Sequence, residues 1–399
     1  MSPNIALLGS GTFAQASYLP AILSLHPVKL NLHTIWSRSA SSTESFLSSA
    51  QEKNADFKPK VLNGDQGLQA ILDDKSIEAV LIVLPITAQP DIVRKALKAG
   101  KHVLSEKPLA KNVKDAQALI EEYEKEYKPK GLIWRVAENF AHEPVLREAG
   151  RLISSTQELG PILHWQLSMQ GYIEDGSKYH KTGWRTIPDY QGGFLLDGGV
   201  HWTALLRTVL PESARPSSVI SITNLHRTHL LPHDTIQAIS LPFKKSVTES
   251  HGPKTKLTSS ENKESDVPSE IGKSSPTGSI LFSFASPDIP AEYQPTNSLK
   301  ITFLNGIMEV KGVNSPRRGW AVKIVPSQGS SLKPVDTDGP YEGVDVEIKM
   351  FAEAITSLKN GNDVGEDYGT PRGAIWDLAV LQALLDSNGK EVSVDELLA

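Results

Sequence analysis

The sequence predicts an α/β unit on a parallel sheet followed by an α+β unit on an open, largely antiparallel sheet. Three observations carry that prediction. Over roughly the first 130 residues, short apolar runs of β type alternate with amphipathic stretches, the order that lays a parallel sheet beneath covering helices. From Gly131 onward the strand-like segments become longer and dominate the pattern. At 399 residues the chain exceeds what one ordinary hydrophobic core holds, so 1–130 and 131–399 are the natural division.

Taken in order, Ile5-Ala6-Leu7-Leu8 reads as the first strand, and Phe13, Ala16, Leu19 and Leu23 follow it at helical spacing, with Pro20 inside the helix. Leu30 to Trp36 gives a second strand, Ser42 to Lys53 a helix and Val61-Leu62 a short third strand. Ala79 to Leu84 is uniformly apolar, as a central parallel strand buried on both faces must be. Pro90 to Ala99 forms a helix closed by Gly100, Lys101 to Ser105 a fifth strand, and a charged helix from Val113 to Tyr127 ends the unit near Lys130. Beyond it, strands are expected over 132–137, 162–169, 219–223, 235–241, 279–284 and 299–310. Thr370-Pro371 supplies an N-cap and first-turn proline for a last helix from Arg372 to about Ser387, stopped by Asn388-Gly389. Residues of about 244–277 lack Phe, Tyr and Trp and are rich in Ser, Thr, Lys, Glu and Pro, a composition that cannot offset its ordering entropy by burial; a disordered surface insertion is expected there.

Composition removes several function classes. With 41 Lys and Arg against 46 Asp and Glu, the chain carries a net charge of −5 and no concentrated basic stripe, so nucleic acid is not an expected partner. Zero cysteines exclude disulfides, thiolate metal sites and a cysteine nucleophile. The histidines show no H-x-x-x-H pair on a predicted helix, and no metal site is expected. No apolar run reaches the length of a membrane span and no basic leader precedes the first strand, so a cytoplasmic protein without membrane association is the expectation.

The chemistry concentrates at the predicted strand ends. Gly9 and Gly11 stand where the first strand turns into the first helix, in Gly9-Ser10-Gly11-Thr12-Phe13-Ala14. There the backbone can approach a pyrophosphate whose charge meets the helix N-terminus, and Ala14 suits the position that needs a small side chain. Alone such a turn is a weak signal. Its place between a strand and a helix, at the head of a series of βα units, makes it a Rossmann dinucleotide site. The second strand ends in Trp36-Ser37-Arg38-Ser39, with no carboxylate before Glu44. A solvated Arg is the plainer alternative; the strand-end position favours Ser37 and Arg38 as partners of a 2′-phosphate, hence NADP(H) over NAD. Leu84, Pro85 and Gln89 follow the fourth strand and could line the cofactor. Lys107 follows the fifth strand at the carboxyl edge, where ligands bind in open α/β sheets, so its ammonium could meet the oxyanion that forms when a carbonyl accepts a hydride. Asp197 and His201 are four residues apart and would share one helix face, and an imidazole suits proton exchange near neutral pH.

The segments Lys101-His102-Val103-Leu104-Ser105-Glu106-Lys107-Pro108 and Gly192-Gly193-Phe194-Leu195-Leu196-Asp197-Gly198-Gly199-Val200-His201, with the glycine turn, resemble the glucose-fructose oxidoreductase/inositol dehydrogenase/rhizopine-catabolism (Gfo/Idh/MocA) family, and within it the fungal NADP-dependent oxidoreductases. The resemblance covers nearly the whole chain outside the low-complexity insert. It implies an NAD(P)-dependent oxidoreductase acting on a small sugar-, polyol- or diol-like alcohol/carbonyl pair, with Lys107 catalytic and substrate-orienting, Asp197 on substrate hydroxyls and His201 as proton donor or acceptor. Glu106 would fix the local backbone or the lysine. The resemblance also implies a homodimer paired through the open face of the second sheet. Many members carry Thr-Pro-x-x-x-His after the fourth strand, whereas this chain has Gln89 where that histidine would stand. Tyr179, Trp184 and Arg185, with Tyr172 and Lys181, precede the Gly-Gly segment and could shape a substrate pocket; the tryptophans could equally be core residues, Trp165 first among them. A non-catalytic nucleotide-binding sensor on the same fold is the alternative, which the set Lys107, Asp197 and His201 argues against.

Overall fold

Runs of buried aliphatic residues build the first sheet. Its strands are β1 (Asn4–Leu8), β2 (Asn31–Ser37), β3 (Lys60–Asn63), β4 (Ala79–Ile82), β5 (His102–Glu106) and β6 (Trp134–Ala137), ordered β3-β2-β1-β4-β5-β6 with every pair parallel. The computed structural model describes residues 2–399 except 179, 189, 191, 242–256, 259–263, 266–275 and 315–316. Strand order reverses between β1 and β4, so their carboxyl ends flank a crevice suited to a ligand.

The segment expected to open the second unit instead completes this sheet. Val103 pairs with Trp134 and Glu106 with Ala137, which moves the first sheet past the expected boundary at residue 130. All four residues of β6 are buried, as a parallel strand requires, but one is Arg135, whose charge is met by Asp367 at 3.1 Å. The strand expected over 132–137 is therefore present, in the first sheet rather than the second.

The covering helices are α1 (Leu19–Leu25), α2 (Ala40–Lys53), α3 (Gly64–Asp73), α4 (Gln89–Lys98) and α5 (Val113–Glu122). Pro20 and Pro90 fall in the first turns of α1 and α4, where no backbone N–H is needed. A wider π-helical turn, Ala14–Tyr18, carries the chain from the glycine turn into α1. The sequence reading passed over α3.

After β6 come α6 (Asn139–His142), α7 (Pro144–Ser155), α8 (Gly183–Thr186) and α9 (Gly193–Val209). The second sheet holds β7 (Ile162–Gln170), β8 (Ser218–Asn224), β9 (Thr235–Leu241), β10 (Thr277–Ser283), β11 (Ser298–Phe303), β12 (Gly306–Val313), β13 (Gly319–Pro326), β14 (Val335–Pro340) and β15 (Glu391–Ser393). Its order is β14-β13-β12-β11-β7-β10-β9-β8-β15, antiparallel throughout except for β7 beside β10. The single run expected over 299–310 is a hairpin turning at Leu304-Asn305. Of the expected insertion, Leu257–Thr258 and Glu264–Ser265 are described, as a two-residue antiparallel pair, with Pro276, and Thr277 already belongs to β10; the rest lies outside the described residues.

One face of this sheet is covered. Trp202 of α9 stacks on Phe284 and meets Phe282 of β10 edge-on, and Trp165 is buried as a core residue, donating to the Ala214 carbonyl at 2.9 Å. Two late helices tie the units together. From α10 (Gly343–Lys359), Ile348, Phe351 and Ile355 pack against Ile5, Leu7 and Leu104 of the first sheet. From α11 (Pro371–Asp386), Gln382 accepts from the Val113 N–H of α5 at 2.9 Å, and Asp377 accepts from Arg207 of α9 through both oxygens at 2.7 and 2.8 Å. The C-terminal third therefore contributes to both cores.

Gly9 fixes how closely β1 and β4 approach at the crevice. Its φ is +108°, and a Cβ there would lie 2.1 Å from the Val83 carbonyl oxygen. Gly9→Ala should therefore lower unfolding stability by at least about 2 kcal/mol, from combined backbone strain and overlap. Denaturant titration checks this, and an unchanged midpoint would contradict it.

Candidate active site

A cavity of about 480 Å³ opens where the carboxyl ends of β1, β4 and β5 face α9. Gly11, Thr12, Phe13 and Ala14 line it from the glycine turn, Leu84, Pro85 and Ile86 from the segment after β4, and Glu106 and Lys107 from the end of β5. Arg185, Asp197 and His201 close it from the second unit, with Ile173, Phe194 and Phe284 as apolar wall. One chamber thus joins the dinucleotide turn to the residues singled out for proton and hydride chemistry.

Asp197 is the electrostatic centre of this chamber. Lys107 Nζ donates to its backbone carbonyl at 2.6 Å and to Oδ1 at 3.1 Å, while Arg185 Nε donates to Oδ2 at 2.8 Å. Burial pushes this carboxyl up, but the Lys107 and Arg185 charges outweigh that effect and hold it at about 2. A second hydrogen bond, from Arg185 Nη1 to Thr182 Oγ1 at 3.0 Å, fixes the guanidinium. Two cations thus flank one carboxylate, and the Lys107 ammonium lines the chamber where it can meet an oxygen that becomes negative.

His201 lies one turn beyond Asp197 on α9, so both side chains face the chamber. Its Nδ1 is 2.7 Å from Oε1 of Glu138, which follows β6 and caps α6 by accepting from Phe140 N–H at 3.1 Å. The Phe140 ring stacks on the imidazole at 4.9 Å. Glu138 is buried, and burial pushes its carboxyl up; the adjacent His201 and Lys107 more than reverse this, leaving it below the usual range. Glu106 behaves differently. Burial dominates and raises its carboxyl to about 7 despite Lys107, while Tyr18 donates its hydroxyl to Oε1 at 2.6 Å. The Lys107 N–H donates to Glu106 Oε2 at 3.3 Å, so Glu106 braces the backbone that carries the lysine.

The residues present fit a dinucleotide. A Cβ on Gly11 would meet nothing within 4 Å, so the turn offers open space above its backbone. Ser10 Oγ and both amide atoms of Gln89 are fully buried without a hydrogen-bond partner among the described residues, polar atoms that a bound ligand or water can satisfy. The Gly9 N–H donates to the Trp36 carbonyl at 2.8 Å, which ties the turn to the end of β2. Ser37 is half-buried and Arg38 exposed at that end, outside the chamber lining, as are Gly9 and Gln89. Trp184 lies in α8, with its side chain outside the described set, and Tyr179 falls outside the described residues altogether.

Glu138, Tyr18, Phe194 and Phe284 were not anticipated. Glu138 stands at the carboxyl end of a parallel strand, the signal that singled out Lys107, but β6 had been assigned to the other unit. Among the described residues, no helix is long and apolar enough to cross a membrane, and no group of three or more His, Asp or Glu side chains could hold a metal ion.

Residues 3–130 match the family described as oxidoreductase family, NAD-binding Rossmann fold (GFO_IDH_MocA). The chain is 33% identical to the dehydrogenase FPY6 of Fusarium mangiferae over 387 residues, 96% of each chain. Among solved structures, an oxidoreductase of Thermotoga maritima covers 100% of both chains at a TM-score of 0.75 and 23% identity. KijD10, a 3-ketoreductase of Actinomadura kijaniata crystallised with NADP and TDP-benzene, superposes at a TM-score of 0.67 and 18% identity over 96% of this chain and 97% of its own.

The low position of Asp197 sets a pH dependence. A carboxyl depressed from 3.8 to about 2 adds stability that is present above the unfolded value and is lost as pH falls through the folded one. Asp197→Asn should cost about 2 kcal/mol at pH 6, from the ion pairing alone, and the gap to wild type should narrow below pH 4 and close near pH 2. Unfolding free energies of both proteins across that range check it; a gap independent of pH would contradict it.

Proposed function

The chain belongs to the Gfo/Idh/MocA oxidoreductases, and on that premise we propose that it is an NADP(H)-dependent enzyme moving a hydride to or from a small sugar-, polyol- or diol-like alcohol/carbonyl substrate. The observation that carries the proposal is the Lys107–Asp197 contact, which sets an ammonium at the mouth of the glycine turn, in the same chamber as His201.

When bound, the nicotinamide supplies or takes the hydride. The glycine turn and the amino end of the first helix receive the pyrophosphate, through open backbone and helix polarity. Phe13, Leu84, Pro85 and Ile86 exclude water from that side of the chamber. Lys107 stabilises charge on the substrate oxygen as the carbonyl is reduced, and Asp197 with Arg185 holds the lysine in place. His201 gives a proton to that oxygen in reduction and removes it in oxidation, which balances the hydride at carbon. A chamber holding Lys107, Asp197 and His201 together has more than a sensor needs, which favours catalysis over the non-catalytic reading.

Preference for NADP(H) is supported by the end of β2, where Ser37 and Arg38 stand without a carboxylate to repel a 2′-phosphate. A homodimer is supported by Ile222 and Ile239, 59% and 55% exposed, which line a shallow groove on the open face of the second sheet.

Arg38→Asp should narrow or invert the preference for NADPH over NADH, read as the ratio of dissociation constants; equal affinities in the wild type would remove the Ser37/Arg38 argument. In a screen of sugars, polyols, dihydrodiols and simple carbonyls followed by nicotinamide absorbance, Lys107→Ala should lower kcat at least about 100-fold while NADPH binding stays nearly intact. Unchanged turnover would take Lys107 out of the mechanism.

A further inference from the structure

We propose that Glu138 is the positioning residue for His201: its carboxylate holds the imidazole proton on Nδ1 and thereby presents the unprotonated Nε2 to the chamber. The inference rests on the functional reading above for its consequence, but its premise is geometric.

Oε1 of Glu138 accepts from Phe140 N–H at 3.1 Å and lies 2.7 Å from His201 Nδ1. An oxygen already accepting one backbone hydrogen and belonging to an ionised carboxylate can only accept from the ring as well, so Nδ1 carries the hydrogen. Phe140, stacked face to face on the imidazole, removes the remaining rotational freedom of the ring. The second Glu138 oxygen, Oε2, is buried with no partner among the described residues, so the side chain is held in place through Oε1 alone. Neutral His201 then has its lone pair on Nε2, as required to take a proton from an alcohol; once protonated, the same nitrogen can return the proton to a carbonyl oxygen. Loss of the carboxylate would free the ring to adopt the other tautomer, with Nε2 carrying hydrogen and unable to act as base. Asp197 makes no hydrogen bond to the imidazole among the described residues; its two side-chain oxygens accept from Lys107 and Arg185.

The test uses the full-length protein labelled with 15N-histidine. Long-range 1H–15N spectra at alkaline pH, with the His201 signal identified by its loss in His201→Asn, should show hydrogen on Nδ1 and an unprotonated Nε2. Glu138→Ala, which removes the acceptor facing Nδ1, should let the hydrogen move to Nε2 and lower kcat at least about 10-fold, with KM and NADPH affinity changed less than about twofold. Glu138→Asp should restore part of kcat and the original tautomer. A wild-type spectrum with hydrogen on Nε2 would overturn the inference, and needs no variant that folds; so would a Glu138→Ala protein that keeps wild-type kcat. Absence of turnover by the wild type on every substrate would instead overturn the functional reading, and the spectrum still decides the tautomer.

Discussion

The contact of Lys107 with Asp197 is the interaction on which the site depends. It joins the end of β5, in the first sheet, to α9, above the second, so the two units meet through a charge pair that water barely reaches. Taking a lysine and a carboxylate out of water is costly, and a single pair seldom recovers that cost. Here Arg185 and the Asp197 carbonyl complete the set, so both Asp197 oxygens are satisfied and the lysine has two acceptors.

Around this centre the surrounding carboxyls follow different rules because their neighbours differ. Asp197 lies between two cations and stays ionised, whereas Glu106 has one cation and a tyrosine hydroxyl, and burial prevails. Glu347, on α10 beneath the first sheet, is raised by burial and by the charges of Glu106 and Glu138. A chamber with an ionised acid, a near-neutral acid, a lysine and an imidazole in reach of one another has the pairing of groups that acid–base chemistry at neutral pH uses. Gly9 contributes from beneath: by letting β1 and β4 approach, it brings the turn and the Leu84-Pro85 segment to the same chamber as the charged groups.

Local signals made much of this legible. The glycine turn, the uniformly apolar fourth strand, Lys107 at a strand end and the four-residue spacing of Asp197 and His201 each express one physical requirement within a few residues. What escaped was carried by partners distant in sequence. β6 was expected as a strand but of the other sheet, because its pairing with β5 is set by contacts across the fold, and so Glu138 at its carboxyl end was not placed at the site. The hairpin within 299–310 was hidden because Leu304 and Asn305 interrupt the β pattern for only two residues. Phe284 joined the chamber wall only once β10 had been placed beside α9.

The central claim is that one chamber receives both the dinucleotide and the substrate oxygen. A crystal structure of the protein with NADP+ tests it most directly. The account predicts the pyrophosphate over Gly11 to Ala14 and the hydride-accepting face of the nicotinamide turned toward Lys107, Asp197 and His201. A nicotinamide lying outside that chamber, or a phosphate-free glycine turn with the nucleotide bound elsewhere, would contradict it.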